Sequence, residues 1–221
     1  MIAEELINYA IPPLKPKDSS QMALLWMEEM RVHELPVIEK KEFKGMISEQ
    51  LILENNDLAA SVGDYNLVAK DCAVGMNQHL YDIIRLATGN EVDMVAVMGD
   101  KGSFMGVVTL RQAVKALAGS SAIQRPGGIV ILSMKAIDYS LAELARIIEA
   151  ESTKILSVHA HEDPETPHML SVTLKLDRSE LSHIVATLER FKYDVVGRFE
   201  EERKHYNEKD RIDLLLRYLD I

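Results

Sequence analysis

The chain has 221 residues, 47% of them hydrophobic, and carries 25 basic against 35 acidic side chains for a formal net charge of −10. That length and apolar share suffice for one large folded domain or two to three small ones, while the acidic balance opposes sequence-independent attraction to nucleic acid or to anionic lipid. The single cysteine, Cys72, excludes an internal disulfide and a multi-cysteine metal centre, and is expected to be a small buried side chain in a reducing compartment.

The start, MIAEELINYA, has two glutamates where a secretory signal would carry positive charge, and no stretch reaches the roughly 18 apolar residues that span a bilayer. A cytoplasmic protein is expected. A short amphipathic stretch from Ile2 to Tyr9 leads into Ile11-Pro12-Pro13-Leu14-Lys15-Pro16, where the prolines forbid helix and favour extended chain. Asp18-Ser19-Ser20 offers an N-cap, and Met22, Leu25, Trp26 and Met30 follow at helical spacing. Methionines in this helix, Met22, Met27 and Met30, fit core filling or a dimer contact. Glu34 to Ile38 and Phe43 to Ser48, separated by a charged turn, predict a β-hairpin, and Glu49 to Glu54 a second helix.

The same order returns further on. Leu67-Val68-Ala69 is short and extended, Asn77 is the expected cap of a helix bearing Leu80, Ile83, Ile84 and Ala87, and Asp93 to Met98 is a strand. Gly99-Asp100-Lys101-Gly102 turns the chain into Phe104 to Val108, and Leu110 to Leu117 is the closing helix. Matching the caps Asp18 and Asn77 sets an offset of 59 that pairs Leu35 with Met94, and two residues added in the hairpin give the offset of 61 between GMISEQL at 45 to 51 and GVVTLRQ at 106 to 112. An offset that changes only at a turn is what a structural repeat predicts.

This twofold order, with Leu35-Pro36-Val37 in one copy and glycine, two apolar residues and Ser48 or Thr109 after each hairpin, resembles a pair of CBS domains over residues 1 to 120. The resemblance implies two units, 1–60 and 61–125, packed about a pseudo-twofold axis, with two clefts that take adenosine nucleotides or related compounds. It implies candidate nucleotide-binding positions at Leu35 and Ser48 in one copy and at Met94, Thr109 and Gln112 in the other. AMP, ADP, ATP or S-adenosylmethionine are the implied regulatory ligands. A hydroxyl at the start of a helix either caps the helix or binds phosphate beside free backbone N–H groups. Three residues further on the family has an aspartate for the ribose; Leu51 and Gln112 stand there, and only Gln112 can hydrogen-bond.

Arg125-Pro126-Gly127-Gly128 is the expected linker to a third unit, 126–200. Strands are predicted at 129 to 134, 155 to 158, 169 to 174 and 193 to 196, with helices starting at Asp138 or Ser140 and at Arg178. That is the βαββαβ order of a ferredoxin-like sandwich, so the fold class is α+β. With the turn Asp138-Tyr139-Ser140-Leu141, it resembles an ACT domain, which implies those four residues as an amino-acid-binding candidate. Two CBS units followed by an ACT-like unit resemble the acetoin-utilisation regulatory proteins.

The turn from His159 to His168 holds three histidines, His159, His161 and His168. Histidines two apart on a strand share a face and suit a divalent ion; the plain alternative is a solvated polar turn, and no metal is assigned. Residues 201–221 form a charged linker and an apolar C-terminal helix that needs a surface to dock on. No phosphate-binding glycine loop, paired cysteines or nucleophile elbow occurs. The expectation is a regulatory, non-catalytic module that binds a small effector and modulates an unidentified partner through rearrangement of a homodimer. The alternative is a structural or interaction dimer whose clefts no longer bind.

Overall fold

The structure is a computed structural model, and it describes residues 1–162 and 166–201. The expected linker and C-terminal helix from residue 202 on, and the tip of the histidine turn, lie outside the described residues. The chain is mixed α+β and divides into two compact units, Met1–Gly119 and the chain from Ser120 on.

In the first unit the two halves of the repeat are a helix, a hairpin and a helix each. The first consists of α1 (Ser20–Met30), β1 (Glu34–Glu39), β2 (Glu42–Ser48) and α2 (Glu49–Asn55). The second consists of β3 (Ala73–Gly75), α3 (Leu80–Gly89), β4 (Met94–Met98), β5 (Phe104–Thr109) and α4 (Leu110–Ala118). β3 runs parallel to β4, with Val74 opposite Val97. Its counterpart in the first half is the single parallel bridge from Leu14 to Val37. Proline explains the reduction: Pro12, Pro13 and Pro16 have no N–H to donate, so Leu14 makes the ladder alone, donating to Pro36 O at 2.8 Å and accepting from Ile38 N at 2.8 Å.

The structure corrects the register of the repeat. The caps are Ser19 rather than Asp18, its side chain accepting from Met22 N, and His79 rather than Asn77, its ring Nδ1 accepting from Tyr81 N at 3.2 Å; they stand 60 positions apart. The hairpin registers agree, since the bulge between Val37 and Ile38 answers the bulge between Val97 and Met98. Leu35 is thus the counterpart of Val95 rather than of Met94, and the hairpin turn adds one residue rather than two. Histidine is a weaker cap former than asparagine, which is why spacing alone favoured Asn77.

The two halves exchange their leading segments. A short 3-10 turn at Ala3–Leu6, where an amphipathic stretch was expected, lies against the second half, with Ala3 N donating to Gln78 O and Glu4 N to Met76 O. The matching turn at Val62–Asp64 lies against the first half, with Val62 N donating to Asp18 O and Gly63 N to Pro16 O. Ala3 and Val62 are both fully buried. One core therefore contains Leu14, Leu35, Val37, Met46 and Ile52 together with Met94 and Val107 from the other half.

In the second unit α5 (Ser121–Gln124) precedes β6 (Ile129–Lys135), α6 (Leu141–Ala150), β7 (Ile155–Glu162), β8 (Met169–Leu176), α7 (Ser182–Arg190) and β9 (Asp194–Phe199). The sheet is antiparallel throughout, in the order β7-β8-β6-β9. Val130, Leu132 and Met134 of β6 and Val172, Leu174 and Leu176 of β8 alternate into a core with Leu144, Ile147 and Ile148 of α6 and Ile184 and Leu188 of α7. β7 runs to Glu162, so His159 and His161 are strand residues rather than turn residues. α7 begins at Ser182 and not near Arg178, because Gly128 N donates to Arg178 O and holds that residue in the preceding loop.

Candidate functional site

Each hairpin of the first unit carries a glycine at its bulge, Gly45 at φ 130° and Gly106 at φ 153°, a backbone region that favours glycine. The exchanged segments explain why no side chain fits there. Met46 and Val68 exchange both backbone hydrogen bonds, at 2.8 and 2.9 Å, while in the other half Asn8 N donates to Val107 O at 2.7 Å. A Cβ at Gly45 would stand 2.8 Å from Val68 O, and one at Gly106 would stand 2.5 Å from Cγ2 of Ile7. The glycine that opens each sequence motif is thus the place where the other half's leading segment crosses the strand.

The hydroxyl that follows sits at the strand-to-helix junction. Ser48 accepts from Leu51 N at 3.2 Å and caps α2. Thr109 accepts from Gln112 N at 3.2 Å, and the Gln112 carboxamide Oε1 accepts from both Thr109 N and Thr109 Oγ1 at 3.0 Å, a closed capping box on α4. The backbone behind each junction is tied alike: Glu49 N donates to His33 O at 2.8 Å and Leu110 N to Asp93 O at 2.7 Å. Ser48, Thr109 and Gln112 are all half-buried, and Arg111 between the last two is exposed. Leu51 packs on the core of the first half, which accounts for an apolar residue at that position. Leu35 and Met94 are fully buried in that core and offer no surface to a ligand.

The sequence reasoning passed over Glu34. Only 6% exposed, it opens β1 and sends its carboxylate across to β4, where Oε1 accepts from Asp93 N and from Met94 N, the latter at 3.2 Å. Burial raises its pKa, the bond from Asp93 N opposes the rise, and the Asp93 charge adds to it. Cys72 is fully buried, and its thiol is pushed up to about 11 by burial and then by the charge of Glu34. A glutamate at the head of an apolar strand is the signal that could have revealed this contact, since a buried carboxylate needs donors.

In the second unit Ser140 caps α6, accepting from Glu143 N at 3.3 Å. Asp138 lies in a 3-10 turn at Ala136–Asp138, Tyr139 packs on the core and Leu141 is exposed. These four candidates lie together in one turn between β6 and α6, beside Ile137, which is 89% exposed.

An open groove of about 920 Å³ lies between α1 and α2, lined by residues that include Met22, Leu25, Glu28, Arg31, Glu49 and Leu53. Neither Ser48 nor Thr109 lines it. Met22, Leu25 and Leu53 are exposed there.

No family model matches the sequence. Among solved structures, a CBS domain pair/ACT domain protein from Thermotoga maritima aligns at 19% identity over 53% of this chain and 96% of its own, with a TM-score of 0.49. CBSX2 in complex with AMP aligns at 22% identity over 52% of this chain and 95% of its own, with a TM-score of 0.45. The cytosolic domain of the Mg2+ channel MgtE in complex with ATP aligns at 15% identity over 52% of this chain and 48% of its own, with a TM-score of 0.44. No helix among the described residues is long and apolar enough to cross a membrane.

Proposed function

We propose that this chain is a regulatory small-molecule sensor, with a CBS-type pair in its first unit and a ferredoxin-like, ACT-type domain in its second. The favoured ligand is an adenine nucleotide or a related compound such as S-adenosylmethionine, bound at the β5–α4 junction. AMP and ATP belong to the neighbours' structures; the reading for this chain rests on its own geometry. The observation that carries it is the pair of half-buried junctions related by the internal repeat, each with a hydroxyl capping the start of a helix. Of the two, the second has the polar set: Thr109 and Gln112 hold each other in the capping box, whose bonds a ribose or phosphate would exchange for its own, and the exposed Arg111 adds positive charge. Ser48 is the weaker site, because Leu51 is committed to the core. The turn from Asp138 to Leu141 is the proposed seat of an amino-acid effector. Ligand binding acts by favouring one arrangement of a homodimer over another, which changes what a partner protein meets.

The experiment is thermal unfolding against AMP, ADP, ATP, S-adenosylmethionine and amino acids. A ligand at about 100 times its Kd stabilises by about 2.7 kcal/mol. Such a shift is expected for an adenine compound, and Thr109→Val is expected to abolish it, each protein being compared with its own ligand-free state. Shifts that survive Thr109→Val but vanish with Ser48→Val would move the site to the first half.

A second reading has its own observation. The exposed Met22, Leu25 and Leu53 beside the α1–α2 groove suit a protein contact, so a dimer that binds no nucleotide is the alternative. Self-association unaffected by any ligand would favour it.

A further inference from the structure

Among the described residues β7 is an outer strand of its sheet, with no strand beside its second edge. α5 lies alongside β7, yet the strand's last four residues, His159 to Glu162, are exposed. His159 and His161 fall on one face, opposite Thr173 and Ser171 of β8. Their ring centroids are 5.8 Å apart and the planes are tilted by 34°. Among the described residues neither ring has a hydrogen bond or an ion pair, and both residues are exposed.

That spacing matches a shared ion. A zinc-class ion sits about 2.0–2.1 Å from an imidazole nitrogen, hence about 3.1 Å from the ring centre, so two rings on one ion have centres about 5 Å apart at a tetrahedral angle and about 6 Å when splayed wide. Two imidazoles fill half of a four-coordinate site. Among the described residues no group of three histidine, cysteine, aspartate or glutamate side chains gathers, and His168 does not join the pair. A second copy of the chain can supply the other two ligands, and the edge of β7 that is unpaired among the described residues offers the route. If a second copy pairs antiparallel along β7 with the twofold at Ala160, His159 faces the partner's His161 and His161 faces the partner's His159. Directly opposed residues share a face, which brings four imidazoles together.

We propose that His159 and His161 are half of a four-histidine site for a zinc-class divalent ion, completed by a second copy of this chain docked edge to edge along β7. The site lies wholly in the second unit and does not depend on nucleotide binding in the first.

The test uses the full chain stripped with chelator and titrated with Zn2+, followed by calorimetry and sedimentation velocity. One ion should bind per two chains, and the mass should double from whatever the metal-free protein shows, reverting on chelation. Co2+ substituted for Zn2+ should give the intense visible absorption of a tetrahedral centre. His161→Gln should weaken uptake by at least about tenfold and remove the doubling; because the residue is exposed, its circular dichroism and melting should match the parent. Binding of one ion per chain without a change in mass would overturn the shared site, and uptake unchanged in the His159→Gln/His161→Gln variant would overturn the site altogether.

Discussion

Glu34 shows how one side chain joins the two halves of a repeat. Its carboxylate is held by the backbone N–H groups of Asp93 and Met94, at the start of β4, in a place where burial disfavours its charge. Because its pKa is raised in the folded state, the stability it lends is fully present below the ordinary value of 4.5 and is lost as pH rises through the raised value. Glu34→Gln keeps an acceptor and removes the charge, so urea denaturation should show a smaller loss of stability above pH 4.5 than in the parent. Glu34→Ala leaves the buried Met94 N and the part-buried Asp93 N without this partner and should cost about 2 kcal/mol at neutral pH. An Ala variant as stable as the parent would show that the contact contributes nothing. Hydrogen bonding of Gln112 to Thr109 has a similar, smaller consequence: Gln112→Ala opens the capping box and should lower stability by about 1 kcal/mol, read by the same denaturation.

Among the elements, the exchange of leading segments makes a sharper demand. Gly45 meets the backbone oxygen of Val68, whereas Gly106 meets the methyl of Ile7. Gly45→Ala should therefore destabilise by about 2 kcal/mol or more with no side-chain rescue. Gly106→Ala should be partly rescued by Ile7→Ala, which withdraws the clashing atom; equal, unrescued losses for both would refute the crossing. The hairpins were legible in the sequence because β1, β2, β4 and β5 are short apolar runs bounded by turn residues. The caps were half legible: Ser19 adjoins the expected Asp18 and has the usual cap chemistry, whereas His79 lies two residues past the expected Asn77 and does not, which left the expected offset one residue short. The exchange was not legible at all, since Asn8 and Val107, or Met46 and Val68, are partners far apart in sequence and no local pattern encodes such pairing. For the same reason Ser48, Thr109 and Gln112 could be placed at helix starts from the sequence alone, while the complete burial of Leu35 and Met94 emerged only from packing.

At the scale of the whole molecule, the proposed sensor joins a pair of related half-domains and a βαββαβ unit on one chain. The same internal symmetry that builds two junctions also lets them diverge, with Leu51 given to the core and Gln112 left polar. The most direct test of that account is amide hydrogen exchange of the full chain with and without saturating adenine nucleotide. The account predicts added protection centred on the β5–α4 junction, residues 104–113, with less at residues 43–52. Exchange unchanged throughout Met1–Gly119 with AMP, ADP, ATP and S-adenosylmethionine alike would contradict it.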